Sequence, residues 1–120
     1  MKVKFTMGEL LALADSYTLD KVSLHPGAWS GTFSFDVLRA FLSRVNWRAG
    51  GRWHWFDCDE SELRAIHLWA RYHDHHHTVD RKVHAVASQI LRRSESKRPL
   101  GWMRAIVRKT NVGPLNLLDP

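Results

Sequence analysis

From Asp59 to Lys109 apolar residues recur every third or fourth position, and that period commits this half of the chain to helices. Asp59, with Glu62 three positions on, is a capping signature that satisfies amide donors at a helix start. It opens a helix reaching at least Tyr72, with Leu63, Ile66, His67 and Ala70 along one face. A second helix starts near Thr78 or Asp80 and runs to about Arg93, burying Val83, Val86, Ala87 and Ile90 and leaving Arg81, Lys82, Arg92 and Arg93 outside. Ser94 to Arg98 reads as a polar hinge. Pro99 then suits the first turn of a last helix through Lys109, with Leu100, Met103, Ile106 and Val107 as its apolar positions. Asn111 to Gly113 ends it, and Leu115, Leu117 and Leu118 in the tail are expected to pack back on the body.

The first half is less regular. Lys2 to Phe5 alternates, with Val3 and Phe5 pointing one way, as in a short strand. Thr6-Met7-Gly8-Glu9 fits a capping box for a helix to about Asp15, whose apolar side is Leu10, Leu11, Leu13 and Ala14. Tyr17 to Leu24 is read as a second short helix or a strand, stopped by His25-Pro26-Gly27. A helix-turn-helix over Gly8 to Leu24 is disfavoured, because Asp15 falls where an apolar residue belongs and Pro26 cuts the recognition helix. Ser34 is a good N-cap for a helix through about Asn46, with Leu38, Phe41, Leu42 and Val45 as its buried stripe. Gly50-Gly51 signals a turn, and Trp53 and Trp55 alternate with Arg52 and His54, so a two-stranded ribbon is expected near 47–56. The sum is an α+β, mostly helical single domain over residues 1–120, with four to five helices, an N-terminal strand and a Trp-rich hairpin.

One cysteine, Cys58, excludes an internal disulfide, a four-cysteine zinc ribbon and a CxxC redox motif, so the core alone must hold the fold. With 44% apolar residues the chain has the means to bury one. No apolar run approaches the roughly 20 residues that span a bilayer, and no signal-peptide core follows Met1 to Phe5; a cytoplasmic protein with no membrane partner is expected.

Charge separates the two halves. Residues 1–60 carry seven basic and seven acidic side chains, whereas residues 81–109 alone carry nine basic ones and a single acid, Glu95. Such a segment attracts anions, and it nominates Arg81, Lys82, Arg92, Arg93, Lys97, Arg98, Arg104, Arg108 and Lys109 as phosphate contacts. Arg48, Arg52, Trp53 and Trp55 add an aromatic-basic ribbon suited to stacking unpaired bases, and Trp102, beside Arg104 and Arg108, is read as exposed. Packing competes for the same residues, and Trp29, Trp69 and one of Trp53 or Trp55 are expected in the core.

The histidine run raises a second chemistry. Neutral imidazole is a preferred ligand of zinc, copper and nickel, and on a helix His73 shares a face with His76 and His77, with His84 or Cys58 able to complete a divalent metal site. The bland alternative is a solvated helix junction. His73-Asp74 is similar to the metal-binding pair of HD phosphohydrolases, which also require an upstream histidine and a downstream aspartate on separate helices. Arg71 and His76 have the spacing of the HEPN ribonuclease motif, in which arginine and histidine on one helix act on an RNA phosphodiester. Cys58, flanked by Asp57 and Asp59, is expected to have a raised pKa, and no nucleophile elbow or phosphate loop is present. His67, on an apolar stripe, is expected to be a hydrogen-bonded core or interface residue.

Three readings of function follow. The first is a small basic accessory protein that grips DNA or RNA with its C-terminal helices and needs no cofactor. The second is a regulator or inhibitor of phage or mobile-element type, docking on an acidic surface of a larger nucleic-acid-processing complex. The third is a metal-assisted or HEPN-like nuclease using Arg71 and the cluster His73 to His77.

Overall fold

A computed structural model describes residues 1–23, 35–75, 81–97 and 101–110. Among these, the chain runs β1 (Lys2–Thr6), α1 (Met7–Ser23), α2 (Phe35–Ser43), β2 (Trp53–Asp57), α3 (Glu60–His75), α4 (Arg81–Glu95) and α5 (Trp102–Thr110). The mostly helical α+β architecture is the one the periodicities demand.

Both capping boxes form. The Thr6 amide donates to Glu9 Oε1 at 2.8 Å and the Glu9 amide to Thr6 Oγ1 at 3.1 Å, which turns the chain from β1 directly into α1. At the start of α3 the Glu62 amide donates to Asp59 Oδ1 at 2.9 Å and the Asp59 amide to Glu62 Oε1 at 3.1 Å. Ser61 Oγ also donates to Asp59, and this bond holds the Asp59 carboxyl below its ordinary pKa.

The tryptophan ribbon is not a local hairpin. Residues ahead of Gly50 are used in turns: Arg48 N–H donates to Asn46 Oδ1 and Ala49 N–H to Asn46 O, leaving no strand there to pair with β2. Gly51 takes a positive φ of 99°, and β2 then pairs antiparallel with the N-terminal strand, Lys4 opposite Trp55 and Thr6 opposite Trp53. The two β segments read from the sequence are therefore partners of each other.

α1 does not end at Asp15 but continues to Ser23, which replaces the break at Tyr17 and leaves no turn within 8–23 for the disfavoured helix-turn-helix. Ser16 sits where the break was expected. Its hydroxyl donates to Leu13 O at 3.2 Å and accepts from Trp69 Nε1–H at 2.8 Å, so a polar residue is fully used inside the helix against the core. The periodicity assigned Leu11 to the apolar side of α1, but it is 48% exposed, while Leu10 and Leu13 are buried.

The core collects side chains from every element. Val3 and Phe5 of β1 enter this core, where Phe5, Phe41 of α2 and Phe56 of β2 form an aromatic group with ring centres 5.0 to 6.1 Å apart. α3 is the central helix: Leu63, Ala65, Ile66, His67, Leu68, Trp69, Ala70 and His73 are all buried. α4 contributes Val83, Ala87 and Ile90, and α5 contributes Trp102, Met103 and Ile106. Leu42, Val86 and Val107 pack against this core from its margin.

The expected hinge at Ser94 is instead the buried end of α4, where Ser94 is 0% exposed. Gly101 lies so close to the Ser94 and Ser96 backbone that a Cβ would sit 2.6 Å from the Ser96 nitrogen, so glycine is required where α5 begins. Pro99, Trp29 and the leucines of the tail lie outside the described residues.

Candidate functional site

Alternation in the paired strands sends Val3, Phe5 and Phe56 inward and puts Lys2, Lys4, Thr6, Trp53, Trp55 and Asp57 on the outer face. Nothing in the described fold covers the centre of that face: Trp55 is 62% exposed. Lys4 Nζ lies 4.5 Å from the Trp53 ring centre and 5.7 Å from that of Trp55, so one ammonium bridges both indoles. Trp53 is half-buried, with the Arg52 and Arg93 guanidinium carbons 5.8 and 5.7 Å from its ring centre. Three cations thus surround one indole.

The end of α4 completes the surface. Thr6, Glu9, Arg52, Trp53, Gln89, Arg92, Arg93 and Ser96 line an open cleft of about 640 Å³ between the sheet and α4. Its walls carry three arginines and one carboxylate. That carboxylate is already committed: Glu9 is 1% exposed, and Arg93 Nη1 bonds its Oε2 while Nη2 reaches its Oε1 at 2.9 Å. Arg93 also donates to Lys4 O at 3.3 Å, tying α4 to β1. A bidentate pair of this kind neutralises the buried charge and leaves Arg52 and Arg92 exposed on the cleft.

Two nominated residues need correction. Arg93 is not a free phosphate contact, because its guanidinium is spent on Glu9. Trp102 is not an exposed platform: it is 8% exposed and packs edge-on against His67 at 6.1 Å, since α5 lies over α3 at this point. Arg81 and Lys82 are exposed at the opposite end of α4, about 16 Å along the helix from Arg92. Arg48, Lys97 and Arg108 are exposed, and Arg104 is exposed while donating from Nε to Glu95 O at 2.8 Å. Lys109 lies in α5, and Arg98 falls outside the described residues. Among the described residues the basic side chains of 81–109 are therefore dispersed, and only Arg92 joins the aromatic ribbon through an exposed charge.

Local sequence missed Lys4, Thr6 and Gln89 at this surface. Lys4 had a signal, since alternation places it opposite Val3 and Phe5 and hence on the outer side of β1.

The histidines are divided. His73 is 2% exposed, its ring 5.1 Å from Trp69 and 5.2 Å from Tyr72. His84 Nδ1 lies 3.1 Å from the His73 backbone oxygen, and Asp74 accepts from Ser88 Oγ at 2.5 Å. Among the described residues no group of three or more His, Cys, Asp or Glu is placed to hold a metal ion; His76 and His77 lie outside them. Arg71 is half-buried, and its Nη1 has no hydrogen-bond acceptor among the described residues.

His67 is a hydrogen-bonded core residue, as its place on the apolar stripe suggested. Ser94 Oγ donates to Leu91 O at 2.9 Å, so it accepts from His67 Nδ1–H at 3.0 Å and fixes the ring tautomer. Burial, then the nearby Arg71 charge, pushes the His67 pKa down to about 4. Glu95 stands 3.6 Å from Nε2 and would favour the charged ring, but it is 40% exposed and does not offset the burial of a ring with no exposure. The Cys58 thiol is pushed up to about 11, by burial first and by Glu62 second, against the opposing pull of Arg44. Such a thiol is inert at neutral pH.

Comparison with known protein families, curated proteins and solved structures finds no match to this chain.

Proposed function

We propose that the chain is a nucleic-acid-binding module that takes a phosphate backbone on the outer face of the β1–β2 sheet and the adjoining end of α4. The observation that carries this reading is the cleft, where Arg52 and Arg92 stand exposed beside Trp53 and the neighbouring carboxylate is already neutralised by Arg93. Lys4 extends the positive field across the sheet. A concave surface with this charge concentrates polyanions, and each phosphate it neutralises releases a counterion. The remaining lysines and arginines of α4 and α5 contribute to long-range attraction more than to contact.

The test is fluorescence anisotropy with labelled single-stranded DNA, duplex DNA and RNA over a salt series, with and without chelator. Binding is expected to weaken steeply with salt, to ignore chelator and to be lost in Arg52→Glu with Arg92→Glu. Absence of binding at low salt would overturn the reading. Pairing Arg92→Glu with Arg93→Glu would be a poor test, since the second change places a carboxylate against Glu9 and attacks the fold.

A second reading draws on the exposure of Trp47 and Trp55 at 44% and 62%, because tryptophan beside arginine also anchors protein interfaces. A regulator of that kind would co-purify with a stoichiometric protein partner bearing an acidic surface, in the absence of nucleic acid.

A further inference from the structure

We infer that the nucleic acid this face takes is single-stranded, with one unpaired base stacked on Trp55 and the adjoining phosphate held at the Arg52–Arg92 cleft. The inference rests on the nucleic-acid reading above and narrows it to a substrate class.

The two indoles of β2 have different work. Trp53 is enclosed by Lys4, Arg52 and Arg93 at 4.5 to 5.8 Å, so its ring serves to hold cations in place. Among the described residues Trp55 has only Lys4 over it, at 5.7 Å, and it stands 62% exposed on a strand that its pairing with β1 keeps in place. An exposed indole on a strand held in place offers a broad apolar face that a flat aromatic partner covers best. A phosphate backbone alone cannot, because ribose and phosphate offer an indole little apolar area. A base offers a π-face, but in a duplex both faces of every internal base are occupied by its neighbours, so only an unpaired base can stack on a side chain.

The positions of the cations agree with that occupant. Trp53 and Trp55 are two residues apart on one strand, about 6.8 Å along it, roughly twice the 3.4 Å step between stacked bases in a duplex strand. The Trp53 end of the cleft, which Arg52 and Arg92 line, is thus within reach of the nucleotide next to a base stacked on Trp55. The Lys4 ammonium, 4.5 Å from the Trp53 ring centre and 5.7 Å from that of Trp55, stands on the way from the stacking position to the cleft, where the first phosphate of an extended strand would pass. A duplex laid on the same face would meet the cations but leave Trp55 uncovered.

The experiment compares binding of equal-length single strands and blunt duplexes, the single strand made as both DNA and RNA, to the full chain and to Trp55→Ala, Trp55→Phe and Arg92→Ala. Single strands are expected to bind about tenfold or more tighter than duplex. Trp55→Ala should weaken single-strand binding about 5- to 150-fold with an unchanged salt slope, Trp55→Phe should retain most of it, and duplex binding should not respond to either. Arg92→Ala should instead reduce the single-strand salt slope by about 0.7. Unequal response of DNA and RNA strands would tell which sugar is preferred and would still support a stacked base. Equal affinity for single strand and duplex with a neutral Trp55→Ala, or an equal loss on both, would overturn the single-strand assignment while leaving the nucleic-acid reading standing. No binding to any of the three would overturn both.

Discussion

Trp55 and Trp102 have similar neighbourhoods in the sequence, each an indole close to arginines, and opposite fates in the fold. Trp102 opens α5, which lies against α3, and it is 8% exposed beside the His67 ring. Trp55 lies on the outer face of a two-stranded sheet that no described element covers, and it is 62% exposed. Adjacent Arg92 and Arg93 repeat the contrast: one is exposed on the cleft, the other is locked to a buried carboxylate. Composition alone does not separate packed from exposed residues here, because the partners that decide are far away in the chain.

The largest effect is expected where a buried charge loses its partner. Arg93→Ala leaves Glu9 buried and unpaired and frees α4 from β1, and it should destabilise the protein by about 3–5 kcal/mol in urea unfolding. Arg92→Ala should change stability by no more than about 0.5 kcal/mol. Equal effects from the two would erase the contrast between them.

The tryptophans give the next comparison. Trp102→Ala empties a core position and should cost about 3–5 kcal/mol, whereas Trp55→Ala should stay within about 0.5 kcal/mol. A large loss of stability on Trp55→Ala would mean that the sheet face is structural.

A third effect belongs to the helical half alone. The His67 pKa is lowered in the fold from an ordinary 6.5 to about 4, so above pH 6.5 both folded and unfolded states hold a neutral ring and nothing is lost. As pH falls through that window the unfolded chain takes up a proton that the folded state refuses, and stability declines by an amount on the order of 3 kcal/mol, levelling below about pH 4. The stability difference between wild type and His67→Gln, followed from pH 7 to pH 4, should shrink by that amount. A flat difference would mean that the ring charges readily in the fold, contrary to its burial.

What the sequence made legible divides along the same line. The capping boxes at Thr6–Glu9 and Asp59–Glu62 and the apolar stripes of α3, α4 and α5 were readable because each is settled within a turn or two of chain. The continuity of α1 was not, since Ser16 is satisfied by Trp69 from 53 residues away. The pairing of Lys4 with Trp55 and of Arg93 with Glu9 spans 51 and 84 residues, and no local pattern announces either. Half of the candidate site was therefore visible as Arg52, Trp53, Trp55, Arg92 and Arg93, and its unity was not. The placement of Trp102 failed for the same reason, because arginines nearby in sequence say nothing about which face of a helix meets its neighbour.

The most direct test of the central claim is a residue-resolved map of contact: amide chemical-shift changes in the full chain as a short single-stranded oligonucleotide is titrated at low salt. If the sheet face takes the strand, the largest changes fall on residues 4–6, 52–55 and 89–93, with the Trp55 indole signal among them. Changes concentrated instead on residues 102–108, or spread evenly over every exposed lysine and arginine, would contradict it.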